Sequence, residues 1–304
     1  MSFTAKDVQI LREKTGCGMM DCKKALTETE GDMDKAVDLL REKGLAAATK
    51  KAARIAAEGI CDCYVEGNTG VVIEVNSETD FVAKNEDFMK FVRTCAMTAL
   101  KQNPDSVEAL LTLTPDGESM TVDAILKEKI LTIGENLNIR RFTRIEGKVA
   151  TYVHGGGRIG VVADFESDLN MNEAFADMGK SVCMQIAAMN PQYMNKDEVP
   201  AGDIEKEKEV LFAQIKNDPK NDGKPDNIVE KMVLGRIGKF YDNNCLEQQE
   251  FIKDSTIKVG QYIENTAKEL GGSIKLKSFI RYEKGEGLQK REDDFATEVA
   301  KMTN

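Results

Sequence analysis

Histidine is nearly missing from this chain: His154 is the only one in 304 residues. One imidazole cannot build a multi-histidine metal site. The seven cysteines, Cys17, Cys22, Cys61, Cys63, Cys95, Cys183 and Cys245, include no C-x-x-C pair. That spacing argues against structural zinc, and an odd, unpatterned set fits reduced thiols in the cytosol. No apolar run is long enough to span a bilayer, and the opening Met-Ser-Phe-Thr-Ala-Lys-Asp has no apolar signal region. The expectation is a soluble, cytoplasmic protein with no membrane partner. Excess positive charge is absent too: 42 Lys+Arg stand against 52 Asp+Glu, a net charge of −10, which argues against direct nucleic-acid binding. No G-x-x-x-x-G-K-[ST] occurs, so no P-loop is expected. Gly155-Gly156-Gly157-Arg158-Ile159-Gly160 does match G-x-G-x-x-G, but Val161-Val162-Ala163-Asp164-Phe165 follows it, which reads as a strand. A dinucleotide site needs a helix there, so the glycines read as a hairpin loop. With no Ser/His/Asp or Cys/His constellation either, neither an enzyme nor a cofactor is expected.

The chain that remains is long enough for several domains. Residues 1–54 read as a three-helix bundle. Thr4 and Asp7 form a capping box, Thr15-Gly16-Cys17-Gly18 ends the first helix, and a second covers 19–27. Asp32 caps a third, which Gly44 is expected to end, and an Ala/Lys tract over 45–57 continues as a helical linker. The three short helices with a Gly-containing first turn resemble a ubiquitin-associated-type bundle. Residues 55–145 and 146–285 read as two copies of one unit. Glu58-Gly59 recurs as Glu146-Gly147, Tyr64-Val65 as Tyr152-Val153, and Gly70-Val71-Val72 as Gly160-Val161-Val162. Phe88 and Cys95 recur as Phe175 and Cys183. Each copy reads strand, turn, strand, loop, helix, then a closing strand, over 137–142 and 274–282. The fold class is therefore α+β with duplicated core subdomains, 55–145 and 146–198 with 242–285. Residues 199–241 interrupt the second copy. Pro200 and Pro225 each begin a helical pattern, one carrying Ile204, Leu211 and Ile215, the other Val229, Val233, Ile237 and Phe240. This reads as an antiparallel helical hairpin, packed on its own core or offering a self-association or partner surface. The last segment, 286–304, reads as a short charged helix over 287–301 with Leu288, Phe295 and Val299 at helical spacing.

The two copies differ in one instructive place. The hairpin is two residues longer in the second copy, and the strand-to-helix loop is three residues longer in the first. That extra length falls at Thr79-Asp80-Phe81-Val82. The preceding β-branched run, Val71 to Asn76, reads as a strand, and Phe88, Phe91, Val92, Cys95 and Ala99 share one helix face beyond it. Thr79 is placed to cap the helix, with Asp80 in its first turn. Phe81 then sits at a strand-to-helix turn, folded back into the core or held out for a partner. The insertion favours the second, because the other copy manages without it.

The stretch Glu74-Val75-Asn76-Ser77-Glu78-Thr79-Asp80-Phe81-Val82-Ala83-Lys84 resembles a signature of the elongation factor Ts family, nucleotide exchange factors for the translational GTPase elongation factor Tu. A second signature is matched by Leu11-Arg12-x-x-Thr15-Gly16-x-Gly18-Met19-x-Asp21-Cys22-Lys23-x-Ala25-Leu26. The similarity continues nearly to the C-terminus. The resemblance implies one partner, elongation factor Tu, GDP-bound or nucleotide-free. It implies that Thr79, Asp80, Phe81 and Val82 form the element that dislodges Mg²⁺ from it. Asp80 and Phe81 would act as the wedge, and Thr79 and Val82 would hold the turn. Arg12, Met19, Met20, Lys23 and His154 are implied as secondary contacts, as is the module over 286–304. Met20 fits a bundle core equally well, and His154 fits a turn. A different reading makes residues 1–54 an adaptor module without exchange activity. A homodimer through the core or the arm remains open.

Overall fold

The structure is a computed structural model that describes residues 3–289. Its N-terminal bundle begins with a reciprocal cap. The Asp7 N–H donates to Thr4 Oγ1 (3.3 Å), and the Thr4 N–H donates to Asp7 Oδ2 (2.7 Å), opening α1 (Ala5–Thr15). Those bonds from Thr4 hold the Asp7 carboxyl below its ordinary pKa. Gly16, at φ 66°, takes the left-handed turn that ends α1. Two further helices follow, α2 (Met19–Glu28) and α3 (Met33–Lys51), the latter capped by Asp32, which accepts from the Lys35 N–H (3.1 Å). Val8, Leu11, Cys22, Leu26 and Leu40 close the small core. Gly44 does not end α3, contrary to expectation. It is buried inside the helix, where a Cβ would stand 3.4 Å from the Lys127 carbonyl oxygen. The glycine serves a close helix crossing, and the alanines after it carry the helix on to Lys51. The linker is helical only that far, and residues 52–57 are irregular.

The first sheet unit runs β1 (Glu58–Glu66), β2 (Thr69–Ser77), the single turn α4 (Asp80–Ala83), α5 (Glu86–Gln102), α6 (Val107–Thr112), α7 (Val122–Ile133) and β3 (Asn138–Glu146). The second runs β4 (Lys148–His154), β5 (Ile159–Ser167), α8 (Glu173–Met189), α9 (Ala201–Asn217), α10 (Asp226–Asn244), β6 (Glu250–Phe251), β7 (Asp254–Lys258), α11 (Val259–Glu269) and β8 (Ile274–Glu283). Strand orders are β1-β2-β3 and β4-β5-β8, antiparallel throughout. Register shifts at Glu74/Val75 in one sheet and at Asp164/Phe165 in the other. The turn between β1 and β2 is Gly67-Asn68; between β4 and β5 it is the longer Gly155 to Arg158. The G-x-G-x-x-G match is thus a hairpin between antiparallel strands.

The middle strands are covered on both faces. Val71, Ile73 and Val75 of β2 pack with Phe88, Phe91, Val92 and Cys95 of α5. Val161, Ala163 and Phe165 of β5 pack likewise with Phe175, Met178, Val182 and Cys183 of α8. Each fully buried Phe or Val contributes about 1.5–3 kcal/mol of apolar burial. On the opposite face Val72 meets Val149 and Val162, so the two sheets press together. The repeated glycines set that contact. A Cβ on Gly70 would collide with Val149 Cγ1, and one on Gly160 would crowd Val72 Cγ2 at 3.1 Å.

Helices α9 and α10 form an arm with its own core of Leu211, Ile215, Val229 and Val233, joined by Phe212, Met232 and Ile237. Pro200 and Pro225 occupy the two N-cap positions. The arm is rooted where Tyr193 and Cys245 form a parallel bridge. Among the described residues no helix is long and apolar enough to cross a membrane. The helix expected over 287–301 lies almost wholly outside the described residues.

Candidate partner-binding surface

The loop from β2 to α5 is the place where the first copy exceeds the second. Of its four signature residues, two face solvent. Phe81 is 79% exposed, the most exposed large apolar side chain among the described residues. Asp80 is exposed beside it and pairs with Lys84 at 3.3 Å. Val82 is buried at 8% and joins the core around α5, so it anchors the turn. Thr79 occupies the N-cap position of α4, but its side chain makes no capping bond. Its hydroxyl donates instead to Glu135 Oε1 at 2.6 Å, because a carboxylate is a stronger acceptor for that proton than any group in the turn. A short-range capping pattern gives no sight of Glu135, which lies in the connection from α7 to β3.

The same carboxylate does more. Its Oε2 accepts the Glu78 and Thr79 N–H groups, both at 3.0 Å. Glu78 answers in kind: its Oε1 accepts from the Asn136 N–H at 2.6 Å and from Arg54 Nη1 at 3.4 Å. Asn136 Nδ2 donates in turn to the Arg54 carbonyl at 2.8 Å. Ser77 Oγ donates to the Thr79 carbonyl at 2.9 Å. Asn85 then opens α5, its Oδ1 accepting from Asp87 N–H (2.8 Å) and Phe88 N–H (3.1 Å). The loop is fixed on both sides of Phe81.

Below β2 lies a second polar cluster. Glu74 is fully buried. Its Oε2 accepts from Arg141 Nε at 2.6 Å, and its Oε1 from Arg140 Nη1 (3.0 Å), Asn76 Nδ2 (3.1 Å) and the Gly285 N–H (2.7 Å). Arg141 lies over the Tyr282 ring at 4.1 Å, and Tyr282 and Thr143 share a hydroxyl bond of 2.6 Å. One carboxylate thus ties β2 and β3 to the end of β8 and the chain beyond it.

His154 ends β4 exposed, with Nδ1 3.1 Å from the Tyr152 hydroxyl. Beyond it the Gly155 to Gly157 turn is bound to the first sheet, since the Cys61 N–H donates to the Gly157 carbonyl at 2.7 Å. An open groove of about 460 Å³ runs between this turn and α5, past Ile60, Tyr64, Met89 and Arg93. In the bundle, Arg12 and Lys23 are exposed, as are Met19 (45%) and Met20 (61%), which leaves Met20 outside the bundle core. The bundle set sits on α1 and α2, Phe81 on the loop after β2, and His154 on the second hairpin. All seven cysteines are free, and no cluster that would hold a metal ion occurs among the described residues.

Fold and surface together define a mixed α+β protein, built on a duplicated sheet, that presents an aromatic on a fixed loop. The family model "Elongation factor TS" matches residues 78–286, beginning at the head of that loop. Proteins named "Elongation factor Ts" are similar along the whole length. The one from Clostridium perfringens (strain SM101 / Type A) is 49% identical over 305 residues, covering 99% of each chain. That of Clostridioides difficile (strain 630) is also 49% identical with 99% coverage of each. That of Syntrophotalea carbinolica is 47% identical over 306 residues, covering both chains fully. The chain belongs to the elongation factor Ts family, and its role is that of a translation elongation factor.

Proposed function

We propose that this protein is a guanine-nucleotide exchange factor for elongation factor Tu. It binds the GDP form, displaces Mg²⁺, and releases GDP so that GTP can enter. It makes and breaks no covalent bond. The observation that carries the reading is Phe81, 79% exposed on a loop fixed at both ends, with the Asp80 carboxylate beside it. An apolar side chain held in water at the tip of a braced turn is suited to inserting into a partner. Asp80 supplies the polar contact, and Val82 and Thr79 hold the turn from within.

The thermodynamics follow from linkage. A bound nucleotide is held by P-loop amides and by Mg²⁺ bridging its phosphates. A protein that prefers the state with those contacts broken lowers nucleotide affinity by some factor, and nucleotide lowers its affinity equally. Incoming GTP therefore displaces it and the cycle turns. Burying Phe81 supplies roughly 1.5–3 kcal/mol, about 10- to 150-fold in an equilibrium. The exposed Arg12, Met19, Met20 and Lys23 of the bundle and His154 on the second hairpin add binding energy and orientation. Met suits such a surface because its side chain adapts its shape.

The test is stopped-flow release of a fluorescent GDP from elongation factor Tu, with wild type and with Phe81→Ala. Acceleration by wild type that the substitution cripples is the expected result. No acceleration by wild type overturns the reading and brings forward an adaptor role for the bundle.

A further inference from the structure

The element that would meet the partner is placed by a residue outside it. Thr79 stands where a helix cap belongs yet gives its hydroxyl to Glu135. Glu78 and Thr79 offer their backbone N–H groups to the other oxygen of the same carboxylate. Three donors from two consecutive residues, immediately before Asp80, converge on one side chain of the α7–β3 connection. Glu78 returns the bond to the Asn136 N–H, so the two segments cap each other's backbone. Gly134, in a left-handed C-cap at φ 88°, turns the chain out of α7 just before Glu135. Among the described residues nothing comparable binds the tip: the Asp80 carboxylate meets the exposed Lys84, and Phe81 stands in solvent.

Resting on the exchange reading above, we infer that Glu135 is a positioning residue for exchange: it never meets the partner, and it sets the angle at which Asp80 and Phe81 are presented. A carboxylate has acceptor capacity for all three donors at once. A carboxamide has one acceptor oxygen, and its N–H₂ end repels a backbone N–H. With that oxygen on the two amides its N–H₂ donates to the Thr79 hydroxyl, so Glu135→Gln leaves all three groups paired, whereas Glu135→Leu keeps similar bulk and breaks all three bonds. Buried or half-buried N–H groups left without an acceptor drive the loop to another conformation. Misplacement by about 1 Å at a site of action is enough for losses on the order of a hundredfold.

The experiment measures the saturating rate of GDP release from elongation factor Tu and the factor concentration that gives half of it. The proteins are wild type, Glu135→Leu, Glu135→Asp, Phe81→Ala and the Phe81→Ala/Glu135→Leu double variant. Glu135→Leu is expected to lower the saturating rate at least about tenfold while the half-saturating concentration moves less than about threefold, since the bundle and hairpin contacts remain. Glu135→Asp keeps both acceptor oxygens and recovers part of the rate. The deciding reading is the cycle: with Phe81 already gone, Glu135→Leu costs much less than it does alone, because it acts through the loop and only the placement of Asp80 is left to lose. A purely structural role would multiply the two losses and lower thermal stability in proportion. Thr79→Val, which breaks only the 2.6 Å bond, supplies an independent arm if Glu135→Leu does not fold; its loss must also shrink in the Phe81→Ala background. If wild type fails to accelerate release, the exchange reading falls. If wild type is active, Phe81→Ala is crippled and Glu135→Leu matches wild type, the positioning role alone is overturned. Losses that multiply in the double variant overturn it as well.

Discussion

Glu74 and Asp164 occupy the same place in the two halves of a duplicated fold. Each is buried in the middle strand of its sheet, and each stands immediately before the register shift toward the closing strand. Their surroundings have diverged. Glu74 is fully partnered, by Arg140, Arg141, Asn76 and the Gly285 N–H. Asp164 has one oxygen on Lys277 at 3.1 Å, and its other oxygen has no hydrogen-bond partner among the described residues.

The two acids should therefore respond differently to neutralisation. Glu74→Gln takes the buried counter-charge from Arg140 and leaves Arg141 only the exposed Glu286 at 3.3 Å among the described residues, and is expected to destabilise by about 3 kcal/mol, the low end for a broken buried pair because both arginines keep some solvent. Asp164→Asn removes a buried charge whose cation among the described residues, Lys277, is largely solvated, so its effect should stay within about 1 kcal/mol. Urea unfolding of both variants checks the contrast, and equal losses would contradict it.

Phe81 and Phe88 lie seven residues apart and should behave as opposites. Phe81→Ala removes a side chain that water already surrounds, so stability should move by no more than about 0.5 kcal/mol. Phe88, fully buried between α5 and β2, should cost about 3–5 kcal/mol when cut to Ala. Thermal melts of the two variants make the comparison.

The core thiols make stability fall in alkali. Burial pushes the Cys61 thiol up to about 12 and raises Cys95 and Cys183 further still. The raised folded values mean that the unfolded chain loses these protons first. The contribution is whole below the unfolded thiol pKa near 8.5–9 and is lost progressively as pH rises from there through the folded values. Urea midpoints should thus decline steadily above about pH 9. Cys61→Ser/Cys95→Ala/Cys183→Ala, folded at neutral pH, should flatten that decline. Thiol reagents at pH 8 should modify the three slowly until denaturant is added.

The arm can be strengthened without touching the rest. Gly235 and Gly238 lie inside α10, where a Cβ would meet nothing within 4 Å. Changing each to Ala should stabilise the helix by about 0.5–1 kcal/mol. Slower hydrogen exchange confined to α9 and α10 is the expected signature, and unchanged exchange there would refute it.

Most of the architecture was legible because it is written locally. The paired Gly-Val-Val runs, the longer second hairpin and the longer first strand-to-helix loop all follow from short-range pattern, and Leu211, Ile215, Val229 and Val233 announce the arm by their spacing. What escaped depends on residues distant in the chain. Gly44 reads as a stop signal until α7 is seen passing beside it. Thr79 reads as a cap until Glu135 takes its proton. A carboxylate bound to backbone N–H groups leaves no periodic trace, because its partners' side chains do not enter the bond. Glu74 is similar: it sits in the run that reads as a strand, but the arginines that accompany its burial lie on another strand.

The bridge between Tyr193 and Cys245 also bears on how the chain reaches this state. β5 must find β8 across the whole of α8, the arm and α11, a search made slow by loop-closure entropy. The arm shortens it. Two helices joined by a tight turn zip together from neighbouring residues, and when they do, Tyr193 and Cys245 arrive side by side. The Gln192 N–H then reaches the Asn244 carbonyl at 2.8 Å and the Leu246 N–H reaches that of Tyr193 at 3.0 Å. From that moment the long connection behaves kinetically as a short one, and an insertion that lengthens the sequence brings the last strand of the sheet within reach of its neighbour.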